Sequence, residues 1–306
     1  MAVLEKNIES PCRLAAAVRT LAELSNQKAK QAVRTGKVSV DGRRILDPGS
    51  LLKVGQTISL DWSASRPDKD QQLAAQLVYR DSAIIVLDKP AGMLSTPTPD
   101  AETRTALSAA RRFCQGGKQA LVVHRLDKET SGLMLFARGA KAARLFRAAL
   151  DAHDVNRTYF CVVKGKPTRE SAVIDSVLVR DAGGGRRGSR PATLRIQPAG
   201  TPVKIPDTPH GRHAITHFKT VAHHQGCSAL EVRLETGRTH QIRIHLSEIR
   251  CPILGERVYS KQPDAPRQAL HSGRLAFVHP FTGQPHDFHS SWPSDLVNVT
   301  PIGPTW

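Results

Sequence analysis

One carboxylate stands where chemistry could be done. Asp127 lies in the segment 119–138, Q-A-L-V-V-H-R-L-D-K-E-T-S-G-L-M-L-F-A-R. Apolar runs on either side of D-K-E-T-S-G read as two buried strands joined by a tight loop, with Asp127 at its mouth, and loops carried on rigid strands are where catalytic groups are placed. Arg125 precedes Asp127 by two residues, so on a strand the two side chains leave on one face and can meet one substrate, while His124 faces the other way and packs. An aspartate kept ionised by a guanidinium can act as a nucleophile without a metal or cofactor. Taken alone, the same residues also describe an aspartate capping a turn with Thr130 and Ser131.

Other chemistries find less support. Thirteen histidines invite a metal, but the closest groupings, His223 with His224, His210 with His213 and His240 with His245, lack the spacing of a zinc ribbon, a finger or an H-E-x-x-H site, so no metal is expected. No phosphate-cradling or dinucleotide glycine motif follows a strand, which argues against a nucleotide cofactor. No G-x-S-x-G elbow occurs. Five cysteines at irregular spacings predict reduced thiols.

Charge supplies the partner class. Forty-four Lys and Arg against 27 Asp and Glu leave a net +17 over 306 residues, an excess that points to a polyanion. No apolar stretch approaches the roughly 18 residues needed to cross a bilayer, so a membrane is not the expected partner. Glu5 and Glu9 make the N-terminus unlike a secretory signal or transit peptide, and the expected location is cytoplasmic.

The elements that must position these residues divide into two regions. In 12–61, Leu14, Val18 and Leu21 form a helical stripe. Ser25 is the expected N-cap of a second helix over 26–35 that stops at Gly36. Val38 and Val40 alternate with polar neighbours before the hairpin signal Asp41-Gly42, and Ile58 and Leu60 supply a further strand. The helix, its exit and the hairpin carry Lys28, Lys30, Arg34, Lys37, Arg43 and Arg44. Residues 62–75 read as a polar linker, and from 77 onward strands alternate with turns: 83–87, 120–126, 133–137 and 158–163, with a helix near 141–150. Residues 181–214 differ, with G-G-G-R-R-G-S-R, five prolines and a net +4, and read as a long basic loop.

Two resemblances join these observations. Two short helices followed by G-K-V-S-V-D-G and K-V-G-Q-T-I resemble, over about 11–61, the alpha-L RNA-binding module, which implies contacts from Lys28, Lys30, Arg34, Lys37, Arg43 and Arg44 to structured RNA. H-R-L-D-x-x-T-S-G-L is similar to the signature of the RluA-type pseudouridine synthases. I-I-V-L-D-K-P-A-G-M at 84–93, R-T-Y-F-C-V-V-K-G at 157–165, L-E-T-G-R-T-H-Q-I-R-I-H at 234–245 and A-L-H-S-G-R-L-A-F-V-H-P at 269–280 extend the likeness over 77–295.

That resemblance implies an α+β catalytic domain over 76–306: a mixed, largely antiparallel sheet flanked by helices, carrying 181–214 as a basic insertion. It implies Asp127 as nucleophile, Arg243 as its ion-pair partner on a helix capped by Thr239, Tyr159 packed against the target base with a part in proton transfer, and Arg125 holding the nucleotide out of its stack. The turn M-L-S-T-P after K-P-A-G departs from many relatives and receives no role. For the insertion, RNA contact and a functionless loop stand as equal readings. The expected activity is isomerisation of uridine to pseudouridine by a monomer, with ribosomal RNA of the large subunit favoured over tRNA and no cofactor. The alternative is a noncatalytic RNA-binding or ribosome-assembly factor. A zinc-dependent base deaminase, a third reading, lacks its ligands.

Overall fold

The computed structural model describes residues 3–45, 48–64, 74–97, 104–114, 117, 119–190, 193–201, 211–260 and 265–297, without the side chains of Arg34, Arg43 and Arg44. The chain divides into two compact units, Met1–Gln72 and Leu73–Trp306. The middle of the expected linker, 65–73, lies outside the described residues.

In the first unit, β1 (Leu4–Asn7), β2 (Cys12–Arg13), α1 (Leu14–Leu21), α2 (Asn26–Arg34), β3 (Val38–Val40), β4 (Arg43–Arg44), β5 (Leu51–Leu52) and β6 (Thr57–Leu60) follow in order. β1-β6-β3-β4 form one antiparallel sheet and β2 pairs β5. The stripe Leu14 and Val18 packs with Ala29, Val33, Val38, Ile58 and Leu60 into a core of its own. Ser25 caps α2 by accepting the Lys28 amide at 3.3 Å. Asp41 and Gly42, both at positive φ, make the two-residue β3–β4 turn, and the Asp41 carboxylate accepts the Thr57 amide at 2.9 Å. β1 lies upstream of the region the sequence suggested, because its four residues are all exposed and carry no apolar alternation.

The second unit contains β7 (Gln76–Arg80), β8 (Ile84–Lys89), α3 (Ala106–Arg112), β9 (Ala120–Val122), β10 (Ser131–Arg138), α4 (Ala140–Asp151), β11 (Asn156–Lys164), β12 (Ser171–Val179), β13 (Gly188–Ser189), β14 (Arg195–Pro198), β15 (Arg212–His224), β16 (Cys227–Leu234), α5 (Gln241–Glu248), β17 (Leu270–Val278), β18 (Pro285–His289) and α6 (Ser294–Val297). Its sheet runs β13-β12-β15-β16-β11-β17-β10-β8-β7, with β14 on β12, β18 on β17 and β9 on β10. The pairings between these strands are antiparallel except β10 with β17, so the sheet is mixed and largely antiparallel, as the resemblance implied.

β10 shows why this sheet is rigid beneath the site. Met134 and Phe136 face one core cluster with Tyr159, Ile242 and Leu246. Leu133, Leu135 and Ala137 face the other with Phe146 of α4. A strand buried on both faces reads as a continuous apolar run, and L-M-L-F-A is one.

Two expectations need correction. Residues 120–126 do not form one strand: β9 ends at Val122, beyond which His124 Nε2 takes the Leu135 amide of β10 at 3.0 Å and the Ser95 hydroxyl takes the N–H and C=O of Leu126 at 3.0 and 2.6 Å. The basic segment is not structureless throughout, for β13 and β14 both pair with β12. Edge pairing uses backbone groups and needs no apolar periodicity, so polar composition concealed it. Residues 191–192 and 202–210 of that segment lie outside the described residues.

Candidate active site

Asp127 sits on the loop between β9 and β10, and three local devices hold that loop. Ser95 grips Leu126, the residue between Arg125 and Asp127. The carbonyl of Lys128 accepts the Gly92 amide at 2.8 Å and Lys89 Nζ at 3.2 Å. Gly132, the second residue of β10, stands at φ +110, and a Cβ there would stand 2.2 Å from the Ser272 carbonyl, so only glycine permits the parallel contact with β17. Arg125 and Asp127 therefore share no strand face, since both lie on loop backbone. Both nevertheless line one cleft of about 990 Å³, with Tyr159, Arg243 and His240.

Lys89 is fully buried, and its ammonium also donates to the carbonyls of Pro90 (3.0 Å) and Met93 (2.9 Å). Burial pulls its pKa down to about 7, with Glu129 and then Asp127 opposing. The K-P-A-G turn and the Asp127 loop are thus tied together by one buried side chain and one backbone bond.

Arg243 reaches the site from α5, whose Ile242 and Leu246 are buried. Its Nη1 donates to Asp127 Oδ2 at 3.0 Å, while Nε and Nη2 donate to the two oxygens of Glu256 at 2.8 and 3.0 Å. The Gln268 amide, with its oxygen turned toward the guanidinium, accepts from the same two nitrogens at 3.0 and 2.9 Å. Burial disfavours the charge on Arg243, but Glu256 and then Asp127 outweigh it and hold the pKa above its ordinary value. Glu256 is likewise held below the ordinary carboxylate range, since the bonds from Arg243 and from the Val258 amide overcome its burial. A buried, bidentate carboxylate thus aims Arg243 so that one nitrogen is left for Asp127. Glu256 carried no signal beyond an ordinary L-G-E, and nothing in its spacing could have linked it to Arg243.

α5 starts one residue later than expected. His240, in the left-handed region at φ 60, is its N-cap, and Thr239 is not. The Gln241 side chain satisfies the Arg238 amide at 3.0 Å and the Thr236 hydroxyl at 2.8 Å, which closes the turn without a threonine cap. The displacement brings His240 Nε2 within 3.8 Å of Asp127 and Nδ1 within 2.8 Å of the Tyr259 hydroxyl. Burial lowers the His240 pKa, and Asp127 opposes it. The Arg243 guanidinium lies 5.4 Å from the centre of the Tyr259 ring.

Tyr159 lies in β11 at a bulge opposite Ser272, nearly buried, with its pKa raised by burial. Arg125 is exposed. His124 is packed and accepts the Leu135 amide through Nε2 at 3.0 Å, neutral because burial pushes its pKa to about 3. The structure therefore gathers Asp127, Arg125, Tyr159, Arg243 and His240 around one cleft, with Tyr259 bonded to His240, Glu256 to Arg243 and Lys89 to the Asp127 loop. Among the described residues, no group of three or more His, Cys, Asp or Glu could hold a metal ion.

Of the basic residues expected to contact RNA from the first unit, Arg34, Arg43 and Arg44 have side chains outside the described residues. Lys28 and Lys30 are exposed on α2. Lys37 donates instead to the carbonyls of Trp62 (2.8 Å) and Ala64.

Comparison with known proteins adds three findings. Residues 83–248 match the RNA pseudouridylate synthase family and residues 12–58 match the S4 domain. Curated relatives include a ribosomal large subunit pseudouridine synthase D of Zymomonas mobilis, 30% identical over 90% of this chain and 88% of that one, and its namesake of Vibrio cholerae, 32% identical over 91% and 86%. An uncharacterized RNA pseudouridine synthase of Bacillus subtilis, YlyB, is 31% identical over 90% and 88%. Among solved structures, human RNA pseudouridylate synthase domain containing 4 shares the fold at a TM-score of 0.58 and 21% identity, covering 73% of this chain and 91% of its own.

Proposed function

The chain belongs to the RNA pseudouridylate synthase family, and from that premise we propose that it isomerises uridine to pseudouridine in ribosomal RNA of the large subunit, with Asp127 as the nucleophile. The observation that carries the reading is the Asp127–Arg243–Glu256 chain at the wall of the cleft. A carboxylate aimed by a guanidinium that is itself fixed by a buried acid is a preorganised nucleophile. A binding protein has no use for one beside RNA phosphates. The relatives named for the ribosomal large subunit support the substrate, and the S4 module supports structured RNA in general. A bacterial ribosomal substrate in turn supports a cytoplasmic location.

In this reading Arg125 holds the target nucleotide out of its stack and Tyr159 packs against the uracil. Asp127 attacks the ribose C1′ or the uracil C6, the glycosidic bond breaks, the base turns, C5 rejoins the ribose, and the bond to Asp127 breaks with its electron pair returning to the carboxylate. The C5 proton is lost and N1 gains one, so atoms balance without redox or hydrolysis. Lys28 and Lys30 on the first unit contribute phosphate contacts.

The test is Asp127→Asn. Isomerisation should be abolished while affinity for the transcript stays within a few fold, because phosphate contacts dominate binding. Wild-type turnover by the purified variant would remove Asp127 from the nucleophile's role. Mapping pseudouridines in large-subunit RNA from cells with and without the gene identifies the uridine, and an unaltered map there with a missing site in tRNA would reassign the substrate.

A further inference from the structure

The basic insertion begins with a built turn. In D-A-G-G-G-R-R-G-S-R, Asp181 Oδ1 accepts the amides of Gly183 and Gly185 at 2.8 and 3.0 Å, the three glycines stand at positive φ, and the Ala182 amide bonds the Arg186 carbonyl at 2.7 Å. The chain returns to the sheet through β13, paired with Leu178 and Val179 of β12. Three exposed arginines, Arg186, Arg187 and Arg190, ride on this turn, and none meets a carboxylate among the described residues. With Asp181 committed to the Gly183 and Gly185 amides and Glu248 to Ser189, the three guanidinium groups repel one another, an arrangement that favours an anionic partner.

The turn is fastened to the helix that carries Arg243. Glu248, in the last turn of α5, accepts the Ser189 amide with Oε1 at 2.7 Å and the Ser189 hydroxyl with Oε2 at 2.5 Å. The same hydroxyl reaches Ser176 of β12 at 2.7 Å. A Cβ on Gly188 would stand 2.8 Å from that of Ala182, so the strand can close on the turn only as glycine. An acid at a helix C-terminus faces the negative end of the helix dipole, an unfavourable position. Its placement is explained by what it holds. One helix links the arm to the cleft: α5 carries Arg243 into the cleft from its first turn and Glu248 to the arm from its last.

We propose that residues 181–190 form a phosphate-binding arm, braced by Glu248, that holds the RNA backbone beside the nucleotide flipped into the cleft. The inference rests on the reading of the cleft as a uridine-isomerising site and assigns it a substrate contact separate from the first unit. A flipped nucleotide brings its flanking phosphates to the cleft rim, and guanidinium groups fixed on a turn meet them with less ordering cost than on a mobile loop.

The experiment uses the full chain and a large-subunit ribosomal RNA transcript. Replacing Arg186 and Arg187 with alanine should raise KM several-fold and flatten the log–log salt dependence of binding by roughly 1.4–1.8, two phosphates at about 0.7–0.9 each. Glu248→Ala separates bracing from charge by sign. If charge alone mattered, loss of an acid near the arm would tighten RNA binding. A braced arm predicts weaker binding. Thermal unfolding would read the helix independently, and Ser189→Ala, which alters no charge, should weaken binding in the same direction. An unchanged salt slope in the double variant, or tighter binding by Glu248→Ala with unweakened binding by Ser189→Ala, overturns the arm. Either result with normal isomerisation by the wild type leaves the catalytic reading standing, whereas a wild type that isomerises no uridine sinks that reading itself.

Discussion

At the scale of single residues, the site depends on which groups are held and by what. Asp127 and Arg243 could be expected to meet from their motif strings, yet the reach of Arg243 is set by Glu256, whose two oxygens occupy Nε and Nη2. Both side chains are nearly or wholly buried, so removing one charge leaves the other unpaired, and the loss exceeds what a surface pair would show. Glu256→Gln should therefore destabilise the unit by roughly 1.5–3 kcal/mol in denaturant unfolding. It should also lower single-turnover isomerisation on the order of a hundredfold, since a displaced guanidinium misplaces the carboxylate. A variant that loses stability but keeps full turnover would mean that Asp127 alone aims Arg243.

At the scale of elements, the Asp127 loop is held by a neighbouring turn. Lys89 joins the end of β8 to the Lys128 carbonyl from a fully buried position, and its pKa lies near 7 against 10.5 when unfolded. Between those values the unfolded chain binds more protons than the folded one, so stability rises with pH across that window, at up to about 1.4 kcal/mol per unit. Glu129, Asp127 and Asp88 favour the ammonium and Arg267 opposes it. The unfolding free energy of wild type should accordingly gain about 2 kcal/mol on Lys89→Met between pH 7.5 and 9. A pH-independent difference would show that Lys89 stays ionised throughout, held by its three carbonyls. Ser95 acts in parallel at Leu126, and it lies in the very turn that the family strings left without a role.

At the scale of the whole molecule, each of the two units has a core, and the first is built on its own helices and hairpin. Deleting residues 1–72 should leave a folded isomerase that modifies its RNA more slowly and less selectively, with a salt dependence shallower by roughly 0.7–0.9 for each phosphate that the first unit no longer neutralises. Affinity across a salt series and pseudouridine yield on one transcript would measure it, and an unchanged slope and site choice would remove the S4 module as an RNA anchor. The family, the α+β class, the apolar strands and the basic charge were all legible in the chain, because each is written locally: a motif string, a two-residue period, a capping serine before a helix, a count of lysines and arginines. That Asp127, Arg125, Tyr159 and Arg243 meet around one cleft was legible for the same reason. What the string could not carry was distance. Glu256 meets Arg243 across 13 residues, Ser95 meets Leu126 across 31 and Ser189 meets Glu248 across 59. Pairings of that kind follow no period, since side-chain and backbone hydrogen bonds are satisfied by whatever the packed sheet brings within reach. Residue type therefore set which groups are present, and tertiary structure set where they meet.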